Sequence, residues 1–345
     1  MWRFPLPLGR MKSFAIRLYQ SLRADTSPLW LRVAQFLITV CVLGFVYHRL
    51  SQEDWQDWSS RMPNALWQQG FLLLTVMLIP LNLGLETRKW QVLVRSYYPQ
   101  ITFLQLFKAV LAGMATGIFT PNRIGEYAGR VMSLPQGFRL EAGTHTLVNR
   151  LLQMMATLLV GTLSWFGLWY FGQPQFRDLI GIDTPLALGI GGILVLSVLI
   201  FLWILLRPQW LLMAFRIHRW DLPFVQRIYT ALLGLGTPQI LSALGLALLR
   251  YAVFTTQYVL LLYAFGYEGI LMLALGLIGL CFLIKSLLPS IALTELGVRE
   301  SVALWLMGAF SIAAFTVVGS TFILYICNLI LPSILGLYFV YRIRA

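Results

Sequence analysis

Charge is scarce in this chain: only 11% of its 345 residues are Asp, Glu, Lys or Arg, against 59% that are hydrophobic. The mean hydropathy is +0.76. A soluble globular domain carries about 25% charged residues, so that class is excluded, and no stretch between the apolar runs is left over to form one. Cysteine is nearly absent, with Cys41, Cys281 and Cys327 all inside apolar stretches; no paired spacing offers a zinc site or a disulfide framework. His48, His145 and His218 stand alone, with no HExxH and no Cys/His cluster, so no metal site is expected. The six aspartates form no DxD pair, and no GxSxG or Walker loop occurs. No catalytic residue is assigned on this pattern, no cofactor is called for, and the chain is not expected to be an enzyme.

What the chain has in quantity is apolar length. A helix needs about 20 apolar residues to cross the hydrocarbon core, and six runs qualify: 30–47, 68–87, 145–172, 184–206, 239–265 and 314–341. Two further stretches, 101–143 and 269–308, are apolar but interrupted by Pro, Gly and charge. The formal net charge of +13 lies mostly in segments flanking the runs. There the positive-inside bias and anionic head groups account for it better than nucleic acid does, and no nucleic-acid partner is expected. The first 28 residues carry Arg3, Arg10, Lys12, Arg17 and Arg23 without an apolar core or a small-residue cleavage site. They read as a basic cytoplasmic arm rather than a signal peptide.

The distribution of Lys and Arg among the loops gives an expected topology. Arg88, Lys89 and Arg95 place the loop after the second span in the cytoplasm, as the basic arm places the N-terminus. The loop at 173–183 is poor in positive charge, 207–227 is rich (Arg207, Arg216, Arg219, Arg227), and Arg342 and Arg344 put the C-terminus inside. These fit only if 101–143 enters and leaves on the cytoplasmic face and 269–308 on the opposite one. The expected fold is therefore all-α, a polytopic membrane helix bundle with inverted repeats, about six full spans plus two re-entrant half-helix pairs. It forms one integral membrane domain: a first repeat at 68–172, a linker span at 184–206 and an inverted second repeat at 239–341.

Both interrupted stretches carry a charged motif at a helix start. In "TPNRIGEYAGR", Thr120 is the expected N-cap and Pro121 the first helical residue, which aims backbone amides at an anion. Arg123, Glu126 and Arg130, at i, i+3 and i+7, share a face of that helix. In "TELGVRESVA", Pro289 is expected to end one half-helix and Thr294 to cap the next, with Glu295 and Arg299 on one face and Glu300 beside them. Two readings are open: the charges line a substrate cavity, or they pair within their own helices, Glu126 with Arg130 and Glu295 with Arg299. The cost of burying ionisable groups in a bilayer favours the cavity. Arg250 and Lys285 face either that cavity or an interface, while Glu86, Arg88 and Lys89 are expected at a solvated cytoplasmic edge. "GMATG" and "GEYAG" fit GxxxG and predict close helix packing.

"GIFTPNRIGEYAGR", "LVNRLLQ", "LPSIALTELGVRE" and "LPSILG" together resemble the flippase-like membrane family related to the transmembrane region of lysylphosphatidylglycerol synthase, over roughly residues 30 to 341. The resemblance implies a multi-pass inner-membrane protein that moves or binds a lipid with an anionic, aminoacylated or glycosylated head group. It carries over Arg123, Gly125, Glu126 and Arg130 from the first motif, Arg150 after it, and Gly297, Arg299 and Glu300 from the second. With Thr120, Thr294 and Glu295, these are the expected substrate-binding residues. Asn149 and Gln153 stand where the family usually has acids beside the arginine, and Thr294 and Glu295 where it has small residues, so the head-group preference is not carried over. Without the soluble aminoacyl-transfer domain of the synthase, synthesis of the aminoacyl lipid by this chain is not expected. Two other readings stay open: an intramembrane transferase using Glu126 or Glu300 as base, and a non-transporting scaffold for a cell-envelope enzyme partner.

Overall fold

The computed structural model describes residues 63–118, 120, 123–171, 174–207, 223–287 and 292–344. The basic arm and the expected span at 30–47 lie outside the described residues. Among those residues all regular structure is helical: α1 (Leu66–Val94), α2 (Phe103–Gly117), α3 (Ile124–Met132), α4 (Arg139–Tyr170), α5 (Pro174–Ile180), α6 (Thr184–Leu206), α7 (Pro223–Leu233), α8 (Thr237–Ala264), α9 (Leu271–Leu287), α10 (Ala292–Gly308), α11 (Ala314–Tyr325) and α12 (Leu331–Arg344). A π-helical turn, Ile326–Ile330, joins α11 to α12.

Among the described residues, five helical segments are long and apolar enough to cross a membrane: α1, α4, α6, α8 and the composite α11–π–α12. The protein is a multi-pass membrane protein on that composition and length. Local sequence explains where several helices begin. Thr102 caps α2, its hydroxyl accepting from the Gln105 amide at 3.3 Å while Gln105 Oε1 accepts from the Thr102 amide at 3.0 Å. Pro185 and Pro238 stand in the first turns of α6 and α8, where a missing N–H costs nothing. Along α6, Leu186, Ile193, Leu196, Leu199, Ile200 and Trp203 all stay exposed, the apolar surface expected of a helix facing lipid.

α2, α9 and α10 have 15, 17 and 17 residues. At 1.5 Å per residue these are about 22 to 26 Å long, short of a hydrocarbon core of about 30 Å. Each such helix is one of a pair, α2 with α3 and α9 with α10, and each pair is flanked by long helices.

The packing between these two sets of four is reciprocal. The first long helices, α1 and α8, lie against each other and run antiparallel, since Glu86 meets Arg250 while Thr75 and Asn82 meet Gln257. The first short helix of the first set, α2, packs on α12, the end of the second set: the Ser333 hydroxyl donates to the Met114 carbonyl at 3.2 Å. The first short helix of the second set, α9, packs on α4, the end of the first, with Leu283 against Gly161, Gly279 against Ser164 and Gly276 against Leu168.

The α2–α3 pair is a tight antiparallel hairpin, and its contact surface is the two GxxxG patterns. A β-carbon at Gly129 would overlap Thr116 Oγ1 and lie 2.7 Å from the Ala112 carbonyl oxygen; one at Gly125 would overlap the Thr116 carbonyl and lie 2.8 Å from Thr120 Oγ1. From the facing helix, a β-carbon at Gly113 would lie 2.6 Å from Arg130 Cγ. Absent side chains let the two backbones meet, as that pattern predicts.

Gly125→Ala or Gly129→Ala forces the hairpin apart and costs about 1 to 3 kcal/mol of stability. Gly245→Ala in α8, where a β-carbon meets nothing within 4 Å, is expected to be neutral or stabilising. Thermal unfolding of the detergent-solubilised variants separates the two outcomes.

Candidate functional site

The start of α3 departs from its expected form. The α-helix begins at Ile124, with Arg123 before it in a left-handed conformation (φ 55°); Pro121, the expected first helical residue, lies outside the described residues. Thr120 still satisfies a helix-start amide from outside the helix: its hydroxyl accepts from Gly125 N at 2.7 Å and donates to the Gly117 carbonyl at 3.2 Å. Arg123 stands one residue before the helix on which Glu126 and Arg130 lie, and its side chain and that of Glu126 both lie against Gly117.

Glu126 and Arg130 are buried, and they belong to more than an intrahelical pair. Arg130 Nη2 donates to Glu126 Oε1 at 2.5 Å and to Glu86 Oε1 of α1 at 2.7 Å, while the guanidinium lies 5.3 Å from the buried Trp90 ring. Arg150 of α4 donates to Glu126 Oε2 and stacks 5.3 Å over Tyr127. Around Glu86, Lys89 Nζ is 2.9 Å from Oε2, Asn149 Nδ2 donates to Oε1 at 2.8 Å, and Arg250 Nε of α8 is 3.4 Å from Oε2. Gln153 Oε1 accepts from Lys89 Nζ and Arg250 Nη1, each at 3.0 Å.

One cluster thus draws on α1, α3, α4 and α8. Among the described residues its ion pairs join four cations, Lys89, Arg130, Arg150 and Arg250, to two carboxylates, Glu86 and Glu126. The excess of two positive charges is unevenly placed. The Lys89 and Arg130 side chains are 1% and 2% exposed, whereas Arg150 and Arg250 are 33% and 25% exposed. Arg130 Nε and Nη1 and Asn149 Oδ1 are buried without hydrogen-bond partners, leaving donors and an acceptor unused where such atoms are costly.

Glu86 and Lys89 correct an expectation. They lie inside this cluster rather than at a solvated edge, because α1 continues to Val94 and α3 and α4 cover that end of it; only Arg88 is exposed. Arg250 faces the cluster. Lys285 is half-buried near the end of α9.

The side chains of the second motif are described from Gly297 onward. α10 begins at Ala292, so Thr294 lies within its first turn and is not its cap; the side chains of Thr294 and Glu295 lie outside the described residues, as does Pro289. Gly297 and Glu300 are buried. Glu300 accepts from the Thr321 hydroxyl of α11, and Arg299 Nη2 donates to the Thr321 carbonyl at 3.0 Å, lies 3.7 Å from Glu300 and stacks 5.3 Å over Tyr325. The described contacts of this motif run to α11, and those of the first motif to α1 and α4, so the contacts do not place the two motifs in one cavity.

Between them lies a set of amides that charge counting does not find. Asn82 of α1 donates to Asn328 Oδ1 on the π turn at 2.6 Å and to Gln257 Oε1 of α8 at 3.3 Å. Asn82 is one helical turn before Glu86, and Asn328 follows Thr321 and Tyr325 by seven and three residues. A single-sequence signal existed only in Asn82, which follows Pro80 in an otherwise apolar run.

These features define a class: an α-helical multi-pass membrane protein with a buried, net-positive side-chain cluster among its helices. The family model for the lysylphosphatidylglycerol synthase TM region matches residues 32–336, and the chain belongs to that family, whose setting is lipid modification or transport. No curated protein matches the sequence.

Glu86→Gln leaves Lys89 and Arg130 buried with a single carboxylate, and is expected to cost about 3 to 5 kcal/mol. Arg150→Gln, at the exposed margin, costs about 1 kcal/mol or less. Melting temperatures of the two purified variants against wild type test the ranking.

Proposed function

We propose that this protein is a lipid translocase of the inner membrane, and that the cluster of Glu86, Lys89, Glu126, Arg130, Arg150 and Arg250 is where a lipid head group binds. The observation that carries this reading is the excess of two positive charges among the described side chains of the cluster, with Arg150 and Arg250 on its accessible side. A cluster that served only to hold helices together has no need of uncompensated charge, which is expensive at depth in a bilayer. A phosphate supplies the missing negative charge, and planar guanidinium groups hold it through paired N–H donors. In this arrangement Glu86 and Glu126 fix Arg130 and Lys89, while Arg150 and Arg250 meet the ligand. Gln153 accepts from two cations through one neutral oxygen, which keeps the site positive where an acid would neutralise it. The favoured ligand is a phospholipid with an anionic head group.

The reciprocal packing of the two sets of helices supports an inverted repeat. If α1 and α8 are equivalent and antiparallel neighbours, the two-fold axis relating them is perpendicular to both helices, hence in the membrane plane. On this reading α2–α3 and α9–α10 are re-entrant pairs entering from opposite faces, their helices too short to cross alone. Loop charges put both termini in the cytoplasm and the first cluster in the cytoplasmic half.

The test is mass spectrometry of lipids retained by the gently purified protein. Wild type is expected to enrich one anionic phospholipid class over the bulk membrane. Arg150→Gln/Arg250→Gln and, more weakly, Gln153→Glu lose that enrichment while staying monodisperse on size exclusion. Retained lipid matching the bulk membrane in all three proteins sinks the head-group reading.

A further inference from the structure

The amides between the two motifs are oriented by the backbone. Gln257 Nε2 donates to the Thr75 carbonyl at 2.9 Å and Asn328 Nδ2 to the Leu324 carbonyl at 3.3 Å, so both present their oxygens to Asn82. Asn82 must then turn its NH2 toward them, which leaves Asn82 Oδ1 as a buried acceptor with no donor. Asn82 is 3% exposed and Gln257 is fully buried. A buried amide acceptor left empty costs free energy and fits a hydroxyl, amide or ammonium donor that arrives from elsewhere.

Both helices that carry the asparagines are irregular at this level. Pro80 removes the amide that would bond to the Val76 carbonyl, one residue from the carbonyl that Gln257 holds. Asn328 sits in the middle of the π turn Ile326–Ile330, a departure that recurs at functional positions inside helices. Polar side chains continue in both directions. Glu86 lies one turn beyond Asn82 on α1, and Tyr325 and Thr321 precede Asn328 on the helix to which Arg299 and Glu300 are bonded.

We propose that the Asn82–Gln257–Asn328 amide cluster is the mid-membrane crossing point through which the head group passes between the first charged cluster and the Arg299–Glu300 motif. The proposal rests on the translocase reading above. Neutral amides suit this place: they hydrogen-bond a passing polar group, but do not hold it as an ion pair does, and they add no charge to the bilayer centre.

The experiment compares two double variants of equal size, Asn82→Ser/Asn328→Ser and Asn82→Ala/Asn328→Ala, which create the same space and differ only in polarity. Each is reconstituted with wild type in vesicles of phosphatidylglycerol and phosphatidylethanolamine carrying a trace of fluorescent phosphatidylglycerol. Movement between leaflets is read by dithionite quenching, and retained lipid and melting temperature are measured on the same preparations. The expected result is movement by the Ser variant within a few-fold of wild type and at least ten-fold slower movement by the Ala variant, with equal anionic lipid retained and similar melting temperatures. Equal rates in the two variants overturn the crossing point. So does a slow Ala variant that has lost its retained lipid, because the damage then lies at the charged cluster. Wild type that retains anionic lipid but moves no probe overturns the crossing point and leaves the binding site standing; wild type that does neither removes the translocase reading and this proposal together.

Discussion

The Arg130 guanidinium, held by carboxylates from two different helices, is the interaction on which the rest of this structure turns. Taking an arginine and two glutamates out of water is expensive, and the cost is offset only when their geometry is close and their lone pairs are used. Glu86 on α1 and Glu126 on α3 meet that demand at 2.7 and 2.5 Å. α3 has only nine residues, too few to be stable by themselves, so its position depends on this pairing and on its contact with α2. Those two supports are one constraint. Gly113 and Gly117 leave the room that the Arg130 and Glu126 side chains occupy, while Gly125 and Gly129 let the backbone of α3 approach. A larger residue on either side of the hairpin displaces the charged side chains along with the helix.

Much of this was legible in the sequence, and the illegible part has a physical cause. The long helices were readable because a bilayer imposes a minimum apolar length, and α4, α6 and α8 fall close to their expected bounds. The first motif was readable because ionisable residues inside an apolar stretch are costly and so conspicuous; Glu126, Arg130 and Arg150 do come together. Glu86 and Lys89 were misplaced because the apolar run of α1 stops before them. Hydropathy marks where lipid contact ends, not where the helix does, and here protein covers the last turns. Thr120 is legible as a capping residue, but the left-handed Arg123 that precedes α3 leaves no mark in composition. Asn82, Gln257 and Asn328 went unseen for the opposite reason to Glu126. A neutral amide changes hydropathy little, and its role depends on partners 175 and 246 residues away.

The described side chains of the two motifs are unlike in charge, and this bears on what the proposed inverted arrangement would do. Among the described side chains, the first cluster holds four cations to two carboxylates, whereas the second holds Arg299 beside Glu300. On the proposed translocase reading, an anionic head group binds more firmly at the first cluster than at the Arg299–Glu300 motif. Unequal affinity sets which site is occupied at rest, but a ligand shifts a conformational equilibrium only by its difference in affinity between states. It does no net work over a complete cycle. A translocase built in this way equalises the lipid between leaflets, and net movement follows whichever leaflet is supplied. On that reading, asymmetry of the clusters governs the rate at low supply: the positive cluster collects scarce anionic lipid from its own leaflet, and the Arg299–Glu300 motif releases it on the other side.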